Sequence, residues 1–131
     1  MKTYAVLPAA VALLGLTSLA PAAQLLSPPL ATGVNAAGAC YFRNVGPTSI
    51  TLQVKALSNF TPDFITPDFQ NCNDAPLAAG HTCVLLVDDL PDDTTFACAA
   101  KVTGSANNLR TSIEIRDLGN GLKVLLADQL R

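Results

Sequence analysis

The sequence predicts an all-β protein: an antiparallel, immunoglobulin-like β-sandwich of about six or seven strands behind a cleavable signal peptide. Three observations support this class. The chain opens with an apolar leader. Behind it, several short segments alternate apolar and polar residues, and clusters of glycine, proline, asparagine and aspartate separate them. Helical periodicity is almost absent, and four cysteines offer disulfides to a small domain.

The leader, residues 1–22, has the layout of a secretory signal peptide. The first residues carry one positive charge, that of Lys2, and an uncharged apolar run follows over residues 5–20. Ala20-Pro21-Ala22 then supplies the small residues that a signal peptidase recognises. Cleavage after Ala22 fits best, and cleavage after Ala23 fits nearly as well. The run is shorter than the roughly 20 residues of a membrane-spanning helix, so a membrane anchor is the less favoured alternative.

Residues 23–131 are predicted to form one domain with a core over about residues 30–127. Cleavage of the leader removes Lys2, so the mature domain has seven Lys and Arg residues and ten Asp and Glu residues, which gives it a formal charge of −3. Nucleic acid requires a basic face, so it is not an expected partner. No second long apolar segment follows, so no membrane insertion is expected after cleavage of the leader. The oligomeric state stays open.

The first half of the domain contains the clearest strand pattern. Residues 24–30 are predicted to be extended around a double proline, and residues 30–35 are a candidate edge strand. Residues 40–45 and 50–56 alternate apolar and polar side chains on either side of a Gly46-Pro47 turn. We expect these two segments to pair as an antiparallel hairpin.

The second half contains three further strands. Residues 82–87 are almost continuously apolar, which is typical of a central strand, and the acidic residues 88–93 are interpreted as a turn. Strands are also predicted at residues 95–102 and 109–116. The leucines of residues 122–130 fit a strand and a short helix equally well.

The alternation of apolar and polar residues also indicates how the cysteines pair. Cys40 and Cys98 both fall on the inward positions of their strands, so they are expected to bridge the two sheets, and Cys72 and Cys83 would then close the irregular segment between them. Four cysteines allow three pairings, and the sequence alone leaves the other two open. An even number of cysteines behind a leader predicts a secreted or periplasmic protein.

The chain resembles a loose group of small secreted bacterial β-sandwich proteins of unknown function. The resemblance rests on the leader, on Cys40 with Asn44-Val45, on the segment of residues 77–83, and on Phe96-Ala97-Cys98, and it covers roughly residues 30–127. It implies a fold and a compartment. It implies no active site.

The chain contains few residues that suit catalysis. His81 is the only histidine, so zinc and blue-copper patterns fail and a nucleophile has no obvious base. Glu114 is the only glutamate and is predicted to face solvent on its strand, and tryptophan is absent. We therefore expect neither an enzyme nor a cofactor. A hydrolase is the remaining catalytic alternative, and activity of the protein against a broad substrate panel would support it.

A calcium hypothesis rests on four aspartates of the acidic stretch. Asp88, Asp89, Asp92 and Asp93 offer hard oxygen ligands from one segment, although no EF-hand spacing is present. The alternative is that these aspartates suit a solvent-exposed turn.

A possible binding loop spans residues 59–71. Two copies of Thr-Pro-Asp-Phe place Asp63 and Phe64 in the first and Asp68 and Phe69 in the second. The spacing puts the two phenylalanines on opposite sides of an extended chain, and proline stiffens it. The alternative is that both rings fold inward and cap the sandwich.

The sequence therefore predicts a secreted or periplasmic, non-catalytic protein with a binding or structural role. A small inhibitor or ligand-binding module that uses the 59–71 loop is the first alternative, and a calcium-dependent surface module is the second. The partner, an unknown protein or small ligand, is not specified by any motif.

Overall fold

The computed structural model describes residues 22–58, 64–121 and 123–130. Within these ranges the predicted all-β class is confirmed, and a single 3-10 turn at Ala106–Asn108 accompanies the strands. The strands are β1 (Ala23–Leu26), β2 (Leu30–Ala31), β3 (Ala36–Asn44), β4 (Thr51–Ser58), β5 (Phe69–Gln70), β6 (Thr82–Leu90), β7 (Thr95–Thr103), β8 (Leu109–Asp117) and β9 (Lys123–Leu130). The predicted leader lies outside the described residues, except for Ala22.

The strands form two antiparallel sheets. Sheet A contains β1, β2, β4 and β7: β4 pairs along one side of the central β7, and β1 and β2 pair in succession along the other. Sheet B has the order β5-β6-β3-β8-β9. Side chains from both sheets share one buried core, so the architecture is sandwich-like. None of the described residues belongs to a helix with the length and apolar character needed to span a membrane.

The predicted hairpin between residues 40–45 and 50–56 is wrong. β3 pairs with β6 and β8 in sheet B, whereas β4 pairs with β7 in sheet A, so the turn between them carries the chain from one sheet to the other. The alternation itself holds, because Phe42 and Val54 are both buried. They belong to one core but to different sheets, because alternation identifies the buried face of a strand and not its neighbour.

The segment around the double proline forms an interrupted edge strand. Pro28 and Pro29 separate β1 from β2, and neither can donate a backbone hydrogen bond. Ser27 maintains the ladder here, because its N–H donates to the carbonyl of Cys98 (2.8 Å) and its hydroxyl accepts from the Cys98 N–H (2.8 Å). This additional pairing, together with the two-residue β5, raises the number of described strands above the six or seven predicted.

The acidic turn predicted at residues 88–93 begins too early. β6 continues to Leu90, and Asp88 and Asp89 belong to it. The pairing with β3 shifts between Ala36 and Gly38, which adds one residue to β6 and allows both Val87 and Leu90 to be buried. Such a bulge resets the alternation, which explains why a simple period-two pattern misses the end of this strand.

The remaining strands lie close to their predicted positions. β7 and β8 cover residues 95–102 and 109–116, and Ile113 and Ile115 are buried as their alternation predicts. Of residues 122–130, for which a strand and a short helix were both predicted, the described residues 123–130 form a strand that pairs with β8.

The two disulfides are Cys40–Cys98, with a Cα–Cα distance of 6.1 Å, and Cys72–Cys83, at 5.1 Å. These are the pairs that the inward positions of Cys40 and Cys98 favour. The first joins β3 to β7 and therefore sheet B to sheet A. The second holds the segment before β6 against that strand.

Gly38 lets the two sheets approach closely. A Cβ atom at this position would lie 2.6 Å from the ring of Phe96, which is fully buried on β7. Gly38→Ala is therefore expected to destabilise the fold by about 1–3 kcal/mol, because the core has no space for an extra methyl group. Urea unfolding of the purified disulfide-bonded protein measures this loss. The double variant Gly38→Ala/Phe96→Leu should recover part of it, and no difference between the wild type and Gly38→Ala would contradict the close approach.

Candidate functional site

The structure separates the two phenylalanines of the predicted binding loop. Phe64 is 53% exposed and Phe69 is 51% exposed, so neither ring folds inward. The Lys55 ammonium lies 3.6 Å from the centre of the Phe64 ring, and Lys55 projects from the outer face of sheet A, between buried Val54 and Ala56. Phe69 lies opposite Leu86 on sheet B. Asp63 lies outside the described residues.

Phe69 belongs to the outer face of sheet B. Its partner Leu86 lies opposite Ala39, which in turn lies opposite Glu114, so these four side chains form one row across the sheet. Leu85 and its alternate neighbours face the core, which places the Leu86 row outside. The next row across the sheet contains Val84 of β6 and Tyr41 of β3, which lie opposite each other. Both side chains are half-buried and extend the apolar surface.

A hydrogen-bonded network borders this apolar area. Arg116 donates through Nε (3.1 Å) and Nη2 (2.7 Å) to the same oxygen of Glu114, and Nη2 also contacts the Tyr41 hydroxyl closely. Burial raises the pKa of the Tyr41 phenol, and the negative charge of Glu114 raises it further. The hydrogen bond to Glu114 also raises the pKa of the Arg116 guanidinium. At neutral pH the phenol therefore stays neutral and Arg116 stays charged.

The segment that carries Phe69 also covers two strand edges, a role that sequence reasoning missed. We call residues 64–77, which connect β4 to β6, the edge strap. On the β4 side, Ile65 N–H donates to Ala56 (3.0 Å), and Leu77 exchanges two backbone hydrogen bonds with Ile50. On the β6 side, Asp68 N–H donates to Leu86 (3.0 Å).

Side chains of the edge strap also accept hydrogen bonds from backbone N–H groups of the two strands. Asp68 Oδ2 accepts from the N–H of Asp88 (2.7 Å). Asn71 Oδ1 accepts from the N–H of Val84 (2.8 Å), and Asn73 Oδ1 accepts from that of Val54 (2.8 Å). Unpaired strand edges are templates for association with other chains, so these contacts protect the side of the sandwich formed by β4 and β6. The sequence signal was the density of Asp and Asn, which also fits an ordinary loop.

The Cys72–Cys83 disulfide fastens the edge strap to β6. Cys72→Ala/Cys83→Ala is expected to reduce stability by about 3 kcal/mol, because the bond closes a short loop, and also to favour association, because the two edges become accessible. Light scattering of the folded variant below its unfolding transition measures association. Gly38→Ala is the matched control, since it weakens the core and leaves the edge strap intact. Equal association of both variants would contradict edge protection.

The four aspartates of the calcium hypothesis do not converge. Asp88 and Asp89 lie in β6, whereas Asp92 and Asp93 follow in the turn before β7. Asp92 Oδ1 accepts from the Asn35 N–H (3.1 Å), and Asp93 adopts a left-handed backbone (φ 52°). No group of three or more potential metal ligands occurs among the described residues. The geometry therefore offers no support for this alternative.

His81 is exposed, as expected for a turn histidine, and lines a small cavity of about 170 Å³ beside the Cys72–Cys83 disulfide. Its carbonyl accepts from the Asn44 N–H (3.0 Å), so its backbone role is structural. Comparison of the chain with protein-family models, curated proteins and solved structures found no match.

Proposed function

We propose that the protein is an exported, non-catalytic binding module, with residues 1–22 as a cleaved signal peptide and an immunoglobulin-like sandwich as its mature domain. Both disulfides support export, because such bonds persist in oxidising compartments and all four cysteines of the chain are used in them. The Cys40–Cys98 bridge between the sheets supports the immunoglobulin-like class. The resemblance to small secreted bacterial sandwich proteins agrees with both.

The observation that carries the binding role is Phe69, a half-exposed aromatic ring on a well-anchored segment. β5, the Asp68 hydrogen bonds and the Cys72–Cys83 disulfide hold the ring beside Leu86. Aromatic side chains on preorganised backbone are typical anchors of protein interfaces, because little conformational entropy is lost on binding. We propose a non-catalytic role on the ground that the polar side chains next to Phe69, Asp68 and Asn71, accept hydrogen bonds from backbone groups.

Export is tested by expressing the full chain with its leader in a bacterial host. We expect protein outside the cytoplasm with Ala23 as its first residue and no free thiol by mass spectrometry. Cytosolic protein with an intact leader and reduced cysteines would contradict export.

Binding through Phe69 is tested with immobilised mature protein and the extracytoplasmic fraction of the source organism. Phe69→Ser should abolish capture of a stoichiometric partner. Phe64→Ser is the matched control, because it removes an equally exposed phenylalanine from the opposite face and should retain the partner. Capture that is the same for the wild type and both variants would contradict the Phe69 surface.

A further inference from the structure

A cleft of about 500 Å³ opens on the side of the sandwich opposite the edge strap. It lies between β1, at the edge of sheet A, and the start of β8 in sheet B. Sheet A ends at β1 and β2, whereas sheet B continues from β8 to β9, so the cleft occupies the step between the two sheets. Its described lining residues are Leu25, Leu26, Ala106, Asn107, Leu109, Arg110 and Thr111.

The walls of the cleft are mostly apolar. Leu109 belongs to the buried core, and Leu25 and Ala106 pack against it while staying partly accessible. Leu26 is 60% exposed, a large apolar side chain at the cleft margin. An apolar cleft of a few hundred Å³ has the size that small-molecule sites occupy.

Thr111 places an unused hydroxyl in this apolar cleft. The residue is only 6% exposed, and its side chain makes no hydrogen bond with another described residue. In the described part of the chain, every fully enclosed side-chain oxygen has a hydrogen-bond partner. The unpartnered Thr111 oxygen is therefore not fully enclosed, and it is accessible from the cleft that Thr111 lines. A nearly buried hydroxyl without a protein partner is costly unless water or a ligand hydrogen-bonds to it.

Arg110 gives the cleft a positive rim. Its Nη1 donates to the carbonyls of Asn107 (2.8 Å) and Leu109 (3.1 Å), which orients the guanidinium. Its Nε and Nη2 donate no hydrogen bond to another described residue. Arg43 lies directly opposite Arg110 on β3, and neither has an acidic partner among the described residues. Like charges directly opposite on adjacent strands repel, and a bound anion would remove that penalty.

We propose that this cleft binds a small amphipathic anion. The apolar part of the ligand packs against Leu25, Leu26 and Leu109, and its carboxylate or phosphate group binds Arg110, with Arg43 as the second positive charge. Thr111 offers a hydrogen bond to a polar atom of the ligand. The site is separate from the Phe69 surface, so the two proposals stand or fall independently.

The test uses purified mature protein, isotope-labelled for NMR, with octanoate and octyl phosphate as probes and octanol and acetate as comparison compounds. Both amphipathic anions should shift the amide signals of the lining residues and bind at least about tenfold more tightly than either comparison compound. The tighter of the two anions identifies the headgroup. Octanol binding as tightly as octanoate would overturn the proposal, because the arginine rim would then contribute nothing.

Two substitutions separate a built site from general charge attraction. Arg110→Gln should weaken both anions about tenfold and leave octanol unchanged, because the guanidinium binds the headgroup and forms no part of the apolar wall. Lys55→Gln removes the same charge from the far strand of sheet A and should leave all affinities unchanged. Equal weakening by both variants, or shifts centred on Phe69, would overturn the proposal. A heteronuclear spectrum of each variant verifies that the fold is retained.

Discussion

Replacing Cys40 and Cys98 together with alanine is expected to lower the free energy of unfolding by about 4 kcal/mol. The bond joins residues 58 positions apart, so its removal releases a long loop in the unfolded chain. Both sulfurs are also buried in the core, where their loss leaves space between the sheets. A loss of this size is a large part of the 5–15 kcal/mol typical of a whole domain.

Urea unfolding of the variant and the wild type under non-reducing conditions measures this difference. The Cys72→Ala/Cys83→Ala variant is the internal comparison, because its bond spans 11 positions and its loop contribution is smaller. An equal or greater loss of stability in that variant would contradict the view that the inter-sheet bond is the principal staple.

Asn44→Ala is expected to destabilise the protein by about 3 kcal/mol, because the side chain satisfies three backbone groups, two of which belong to buried residues. Asn44 is fully buried at the end of β3. Its Nδ2 donates to the carbonyls of Thr48 (2.8 Å) and Leu77 (2.9 Å), and its Oδ1 accepts from the Gly46 N–H (3.0 Å). One side chain therefore fixes the crossing from sheet B to sheet A and the end of the edge strap.

Thermal and urea unfolding measure the effect of Asn44→Ala, and Asn107→Ala is the control. Asn107 is exposed, and its side chain makes no hydrogen bond within the described part of the chain, so its substitution should change stability by less than about 0.5 kcal/mol. A similarly small effect at Asn44 would mean that water replaces its contacts and that the crossing does not depend on it.

The sequence predicts those features of the fold that depend on which side of a strand is buried. The inward positions of Cys40 and Cys98 anticipate their bond, and strict alternation locates β4 and β8 closely. The same alternation does not predict which strands pair with each other. The turn between β3 and β4 carries hairpin signals, yet Asn44 anchors its start to Leu77, beyond the range of any local pattern.

The candidate sites were predicted less completely for a similar reason. The sequence left open whether Phe69 is exposed or folds inward, and its partner Leu86 belongs to another strand. The cleft at Arg110 was not predicted at all. It depends on how far sheet B extends past sheet A, a property of the assembled sheets that no sequence period encodes.

The position of β1 has a consequence for the order in which the chain folds. The first strand has its ladder partner in β7, where Ala23 lies opposite Val102. Sheet A therefore cannot close while the ribosome is still making the first hundred or so residues, and non-local pairing of this kind is intrinsically slow. Whatever precedes Ala23 emerges first and has time to engage other factors before the sandwich closes.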